Sequence, residues 1–153
     1  MLRWWRRLHR LPGGRWLFSR LLGWLVPYTG SIGARVERLE PGDVAVSLRE
    51  KRAVRNHLRS IHAIALVNLA EVTSGLAMLT AVGSDVRGIV TGLRIRYDKK
   101  ARGRLVATSV VSPPHIGDNI DGVDAEVTAV IRDAAGDVVA EATVTWRLSP
   151  LAG

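Results

Sequence analysis

From Ile61 to Val82 the chain reads IHAIALVNLAEVTSGLAMLTAV. Its apolar residues (Ile64, Ala65, Leu66, Val67, Leu69, Ala70, Val72, Leu76, Ala77, Met78 and Leu79) fall on every side of an α-helix. That is the pattern of a helix surrounded by protein, not of one lying on a surface. Only two of these 22 residues ionise, His62 and Glu71. A carboxylate buried in such a helix costs roughly several kcal/mol unless it is protonated or well hydrogen-bonded. Glu71 is therefore expected to be a buried acid kept for structure, satisfied by Asn68, Thr73, Ser74 or a basic partner, or else kept for chemistry. Strongly perturbed carboxylates gather at catalytic sites, which favours chemistry.

The neighbours of Glu71 point the same way. Asn68, Glu71 and Ser74 recur every third residue and draw a narrow polar stripe along the apolar helix. Asn56, His57 and His62 lie at or just before its start, where unpaired backbone N–H groups favour negative charge. A carboxylate together with backbone donors is a minimal kit for acyl transfer.

The stretch from Asn56 to Glu71, NHLRSIHAIALVNLAE, resembles the hotdog-fold thioesterases, in the branch related to the phenylacetate-pathway enzymes. In that branch an Asn precedes a His-Gly-Gly by six residues and an acid follows the His by nine. Asn56, His62 and Glu71 stand at those spacings. The sequence is most similar to a thioesterase-like subfamily of uncharacterised proteins. Two departures stand out. Ala63-Ile64 replaces the glycine pair, which keeps a backbone N–H but crowds the approach of a thioester oxygen. The Ser or Thr that related enzymes carry near the start of the next strand falls near Val90, with Thr91 beside it.

The rest of the chain predicts a fold of that kind independently. Ile32 to Leu39 and Val44 to Leu48 read as two strands around the turn Glu40-Pro41-Gly42-Asp43. Beyond the helix, Ile89, Thr91, Leu93, Ile95 and Tyr97 are expected on one face of a strand, with Gly92, Arg94 and Arg96 on the other. Leu105 to Val111 suits a strand covered on both faces. Val123 to Ile131 and Val138 to Leu148 alternate apolar with polar residues, and Arg132 to Asp137 joins them as a hairpin. The expectation is an α+β hotdog fold: an antiparallel sheet of about six strands around a central helix over about residues 61–82, in a domain over 31–153.

Residues 1–30 form a separate, basic, helical extension in this scheme. Residues 1–35 hold seven arginines and no acid, whereas the other 118 residues hold 15 basic and 14 acidic groups. Two short helices are expected, split at Pro12-Gly13-Gly14. Leu2, Trp4, Trp5, Leu8 and Leu11 gather on one side of the first, and Leu17, Leu21, Trp24, Leu25 and Tyr28 form a stripe on the second. Such an arm either packs on the sheet or a partner subunit, or lies in a membrane interface through residues 1–28. It is too short and too charged to span a bilayer. Arg20 interrupts the apolar run and argues against a secretory signal, so a cytoplasmic location is expected, with peripheral membrane contact as its variant.

The chain has no cysteine, which excludes disulfides, a thiolate nucleophile and a zinc ribbon. No His, Asp or Glu set has metal-ligand spacing, and neither a phosphate-cradling glycine loop nor a G-x-S-x-G elbow occurs. Neither metal nor cofactor is expected. The basic residues lack the aromatic interleaving of a nucleic-acid motif, so no nucleic-acid partner is expected.

The resemblance implies hydrolysis of an acyl thioester in a homodimer or dimer of dimers. Glu71 would be general base or nucleophile, the backbone N–H of Ala63 would hold the oxyanion, Asn56 would orient water or thioester, and His62 would shape the loop. Glu71 would face the Asn56–Ala63 loop of the other subunit. The acyl chain would lie along Leu66, Val67, Asn68, Ser74, Met78, Leu79 and Thr91, where apolar walls and no charged residue beyond Ser74 favour a medium or long chain. Arg94, Arg96, Lys99, Lys100 and Arg102 are candidates for the phosphates of coenzyme A, with a solvated hairpin tip as the plainer alternative. Two other activities stay open: a non-catalytic acyl-CoA or lipid-binding module, favoured by Ala63-Ile64, and a hydratase or dehydratase acting on acyl thioesters.

Overall fold

The computed structural model describes residues 1–112, 114 and 122–151. Three short helices open the chain: α1 (Leu2–Leu8), α2 (Gly14–Leu25) and α3 (Pro27–Ser31). A hairpin of β1 (Arg35–Glu40) and β2 (Asp43–Arg49) follows, then the long helix α4 (Ala63–Ala81). Four strands complete the fold: β3 (Val86–Tyr97), β4 (Arg104–Val110), β5 (Val123–Arg132) and β6 (Val138–Pro150). All pairings are antiparallel, in the order β1-β2-β4-β5-β6-β3, and α4 packs against every strand. This is the hotdog arrangement.

The apolar run explains the position of α4. Composition and length alone would let this helix cross a bilayer, but 72% of its apolar window is buried inside the protein, which makes it a core helix. Leu69, Ala70, Ala77 and Met78 have no exposed surface. Its buried hydroxyls turn back on the helix: Thr73 donates to the Leu69 carbonyl at 2.6 Å and Thr80 to that of Leu76 at 2.7 Å. Opposite it lie Val44, Val46 and Leu48 of β2, Leu105 and Ala107 of β4, Ile131 and Ala129 of β5, and Ala142 and Val144 of β6, all buried.

Two strands differ from their sequence reading. In β3 a bulge between Val90 and Gly92 shifts the register against β6, where Val90 pairs with Trp146 and Gly92 with Thr145. The extra residue reverses the alternation. Val86 and Val90 therefore pack with Leu93 on the core, while Ile89 and Thr91, expected beside Leu93 and Ile95, are exposed. In β4, Leu105, Ala107 and Ser109 are buried, but Val106 and Thr108 are only half-buried and Val110 is 75% exposed. The strand is thus covered on one face, not two; a run of Val, Thr and Ser does not reveal which side is open.

The arm is held to the sheet by few side chains. Trp5 and Phe18 are buried and meet edge to face, with ring centroids 5.1 Å apart. Helices α1 and α2 touch at Gly14, where a Cβ would stand 1.7 Å from the Leu8 carbonyl oxygen. The Ser19 hydroxyl accepts the Val36 backbone N–H at 2.9 Å, so α2 covers the outer edge of β1. Phe18 lies outside the stripe expected on α2, and the stripe itself faces solvent: Trp24, Leu25 and Tyr28 are 78%, 69% and 70% exposed.

Candidate active site

Glu71 sits where the cover over α4 ends. One turn further on, Trp146 of β6 lies on the helix; its indole N–H donates to the Ser74 hydroxyl at 3.3 Å, and a Cβ on Gly75 would stand 2.8 Å from the ring. Toward the start of α4, Val67 is half-buried and Ile64 is 53% exposed. Glu71 is accordingly partly buried, and not the enclosed acid that the apolar run predicts. Its carboxylate makes no hydrogen bond or ion pair among the described residues; Asn68, Thr73 and Ser74 are bonded elsewhere. Burial alone pushes its pKa up from the ordinary 4.5. A carboxylate without a structural partner, with its proton affinity raised, is suited to take a proton from water.

Asn68, one turn before Glu71, is buried. Its amide nitrogen donates to the Tyr28 carbonyl at 3.1 Å, tying α3 to α4, and its Oδ1 has no partner among the described residues. The polar stripe thus holds two open acceptors one turn apart.

The loop before α4 is organised by Asn56. Its Oδ1 accepts the backbone N–H of Leu58 at 2.9 Å, that of Ser60 at 3.2 Å and the Ser60 hydroxyl at 3.1 Å. Only its amide nitrogen remains for a ligand. His62 caps the helix, Nδ1 accepting the Ile64 N–H at 3.1 Å. That bond places the ring proton on Nε2. Ala63 is the first helical residue, and its N–H donates to no acceptor among the described residues. A free donor at the positive end of α4 can hold an oxyanion.

Glu71 and Ala63 do not meet within one chain. Eight residues along a helix span about 12 Å, whereas base and oxyanion donor must both reach one acyl carbon.

The structure places Leu66, Met78 and Ser74 in the core, at 2%, 0% and 0% exposure, so of the expected acyl-lining residues Val67, Leu79 and Thr91 are the ones with open surface. Thr91 lies at the β3 bulge, its hydroxyl 3.4 Å from the Thr145 carbonyl. The basic group is divided. Arg96 pairs with Asp98 at 2.8 Å, and Lys99 with Asp133 and Asp137 at 2.6 Å each. Arg94, Lys100 and Arg102 make no ion pair among the described residues. The loop carrying Lys100 and Arg102 adjoins the Asn56–Ala63 loop, the Ile61 N–H donating to the Ala101 carbonyl at 2.8 Å.

Tyr97 is a residue that sequence reasoning left without a role. Its hydroxyl donates to the Ala63 carbonyl at 3.4 Å, and burial pushes its pKa up. Alternation placed it at the end of β3; only the fold brings that strand end to the mouth of α4.

The family model described as Domain of unknown function (DUF4442) matches residues 14–148. The chain belongs to that family. The match takes in α2 and α3 as well as the sheet and α4. No curated protein matches the chain. Among solved structures, one known as genomics APC5556 is 28% identical, with a TM-score of 0.78 over 95% of this chain and 94% of its own. A Pseudomonas aeruginosa protein of unknown function, named a probable thioesterase, is 26% identical with a TM-score of 0.78 over 92% and 97%. A thioesterase mutant from Staphylococcus aureus shares 16% identity at a TM-score of 0.70 over 81% and 99%, a likeness of fold alone.

Proposed function

We propose that this DUF4442 protein hydrolyses acyl thioesters, with the unpartnered carboxylate of Glu71 as the observation that carries the proposal. The probable-thioesterase name of the Pseudomonas aeruginosa relative supports the reaction class. Glu71 takes a proton from water as the water attacks the acyl carbonyl. The carbonyl oxygen, becoming negative, is held by the Ala63 N–H at the start of α4, and the thiolate leaves. Direct attack by Glu71, giving a mixed anhydride that water then cleaves, uses the same groups. The free amide nitrogen of Asn56 is placed to orient the carbonyl, while His62 holds the N-terminus of α4 in shape.

Because Glu71 and Ala63 of one chain stand too far apart, the site is assembled in a homodimer, Glu71 of one copy opposite the Asn56–Ala63 loop of the other. That pairing is the arrangement of the phenylacetate-pathway-like branch whose spacing the chain shares. The apolar surface around Val67 and Leu79 favours a medium or long acyl chain, and Arg94, Lys100 and Arg102 are the cations left for the phosphates of a coenzyme A carrier.

The test is thiol release from a series of acyl-CoAs by wild type, Glu71→Gln and Ala63→Pro. Proline at the first helical position removes the N–H at small cost, and His62, with ψ 140°, already has the backbone that a following proline requires. Both variants should lose turnover, and co-refolded mixtures should regain part of it because one intact site forms in each mixed dimer. Turnover by neither wild type nor variants on any acyl chain, with acyl-CoA still bound, would instead mark a binding module.

A further inference from the structure

The outer surface of the arm carries two parallel rows. Trp16, Arg20 and Trp24 recur every fourth residue along α2, with the Arg20 guanidinium 5.8 Å from the Trp16 ring centre. Beside them run Leu17, Leu21 and Leu25. The exposures of Trp16, Trp24 and Leu25 are 58%, 78% and 69%, and on α1 Trp4 adds another exposed indole at 65%. Monomeric proteins seldom leave so much aromatic and aliphatic surface in water without using it. The surface is also rigidly presented, because Trp5, Phe18 and Ser19 fix the opposite sides of the helices to each other and to β1.

Helix α2 is a ridge between two clefts, and Trp24 lines both. On one flank a cleft of about 380 Å³ is apolar, walled by Met1, Trp4, Phe18, Leu21 and Leu25. On the other a cleft of about 770 Å³ is lined by Arg20, Arg35, Arg49 and Arg104, with Glu37 as its acid. Glu37 is already engaged by Arg104 at 2.9 Å and Arg15 at 3.6 Å, so the cleft keeps an excess of positive charge. On α1, Arg3, Arg6, Arg7 and Arg10 make no ion pair among the described residues.

We infer that the arm docks on an anionic phospholipid surface, α2 foremost. Trp4, Trp16 and Trp24 sit at headgroup depth, the leucine row and the apolar cleft enter the acyl boundary, and the arginines of α1 and of the basic cleft meet lipid phosphates. Charge selects lipid over a second copy of the chain: two arms facing each other would set six arginines against six with no acid between residues 1 and 35.

The test uses the full chain in vesicle sedimentation and tryptophan fluorescence, with phosphatidylglycerol–phosphatidylcholine vesicles against phosphatidylcholine alone. Wild type should partition at least tenfold more strongly onto the anionic vesicles, lose that preference in high salt, and shift its emission to the blue. Trp24→Ser with Leu25→Ser should weaken partitioning at least tenfold at unchanged melting temperature, since both side chains are exposed; Arg3→Glu with Arg7→Glu should do the same through charge. Equal binding to both vesicle types, no binding to either, or an oligomer in sedimentation equilibrium that the Trp24/Leu25 variant splits would each overturn the proposal, the last assigning the face to a second copy.

Discussion

Helix α4 holds polar groups where its surroundings are apolar, while the arm holds apolar groups where its surroundings are water. On α4 the Glu71 carboxylate, the Asn68 Oδ1 and the Ala63 N–H lack partners among the described residues. On the arm Trp4, Trp16 and Trp24 lack cover. Between them, β5 and β6 follow the ordinary rule, apolar residues inward from Val127 to Trp146 and Asp124 paired with Arg147 outside at 2.8 Å. The two exceptions differ in kind. An open hydrogen-bonding group inside asks for a reacting molecule, and an open apolar surface outside asks for a second phase. A fold selected for stability alone would have corrected both.

The largest expected effect breaks the first exception. Glu71→Gln should cost about a hundredfold or more in kcat/KM for thioester hydrolysis. It should at the same time raise stability at neutral pH. Burial lifts the folded pKa of Glu71 above its unfolded value, so between those two values the native state binds more protons than the unfolded one, and stability falls as pH rises through that window. Gln has no such penalty. Thermal unfolding should therefore show the variant ahead of wild type at pH 7 and the gap closing once the pH falls below the ordinary carboxylate value of 4.5. In wild type, kcat/KM should rise with pH through an apparent pKa above that value. A variant less stable at pH 7 would make Glu71 a structural acid.

The second prediction separates the two sides of the arm. Trp5→Ala, which empties a buried indole site beside Phe18, should cost about 3–5 kcal/mol in urea unfolding. Trp24→Ala, which removes an exposed indole, should stay within about 0.5 kcal/mol. Equal losses would mean that the outer surface is covered in solution.

Next in size is Asn56. Removing an acceptor of three hydrogen bonds, Asn56→Ala should cost about 1–3 kcal/mol. Asn56→Asp keeps the accepting oxygen and should fold nearly as well, yet it lacks the amide nitrogen proposed to orient the substrate. Calorimetry and turnover on both variants would then disagree, which assigns the oxygen to the loop and the nitrogen to the site.

What the sequence made legible follows from which interactions are local. The apolar run of α4, the alternation of β5 and β6 and the turn at Glu40–Asp43 are written in neighbouring residues, and the structure repeats them. The β3 bulge is not written there, because Ile89 and Thr91 alternate with Leu93 as well as any unbulged strand would. The buried side of α2 is not written there either. A helical stripe of Leu17, Leu21, Trp24 and Leu25 is more apolar than the side carrying Gly14 and Phe18, but the close contact between Gly14 and Leu8 decides which side turns inward. Tyr97 at the mouth of α4 is a property of the assembled fold alone.

The smallest effect concerns Arg59, the one non-glycine residue among those described with a left-handed backbone, at φ 54°. A Cβ in that conformation costs about 1–2 kcal/mol, and glycine avoids it at an entropic cost of about 0.5–1 kcal/mol. The strain is imposed by its neighbours: Asn56 Oδ1 gathers the N–H groups of Leu58 and Ser60, and the Asn56 N–H donates to the Ser60 carbonyl at 2.8 Å, which folds the loop back at Arg59. Arg59→Gly should therefore gain up to about 1 kcal/mol, and Arg59→Ala, which keeps the Cβ, should gain nothing. If Arg59→Ala gained as much as Arg59→Gly, the guanidinium would be the source of the cost. If neither gained, the loop would owe its shape to the strained residue as well as to Asn56, and both variants should then alter turnover through the position of the Ala63 N–H.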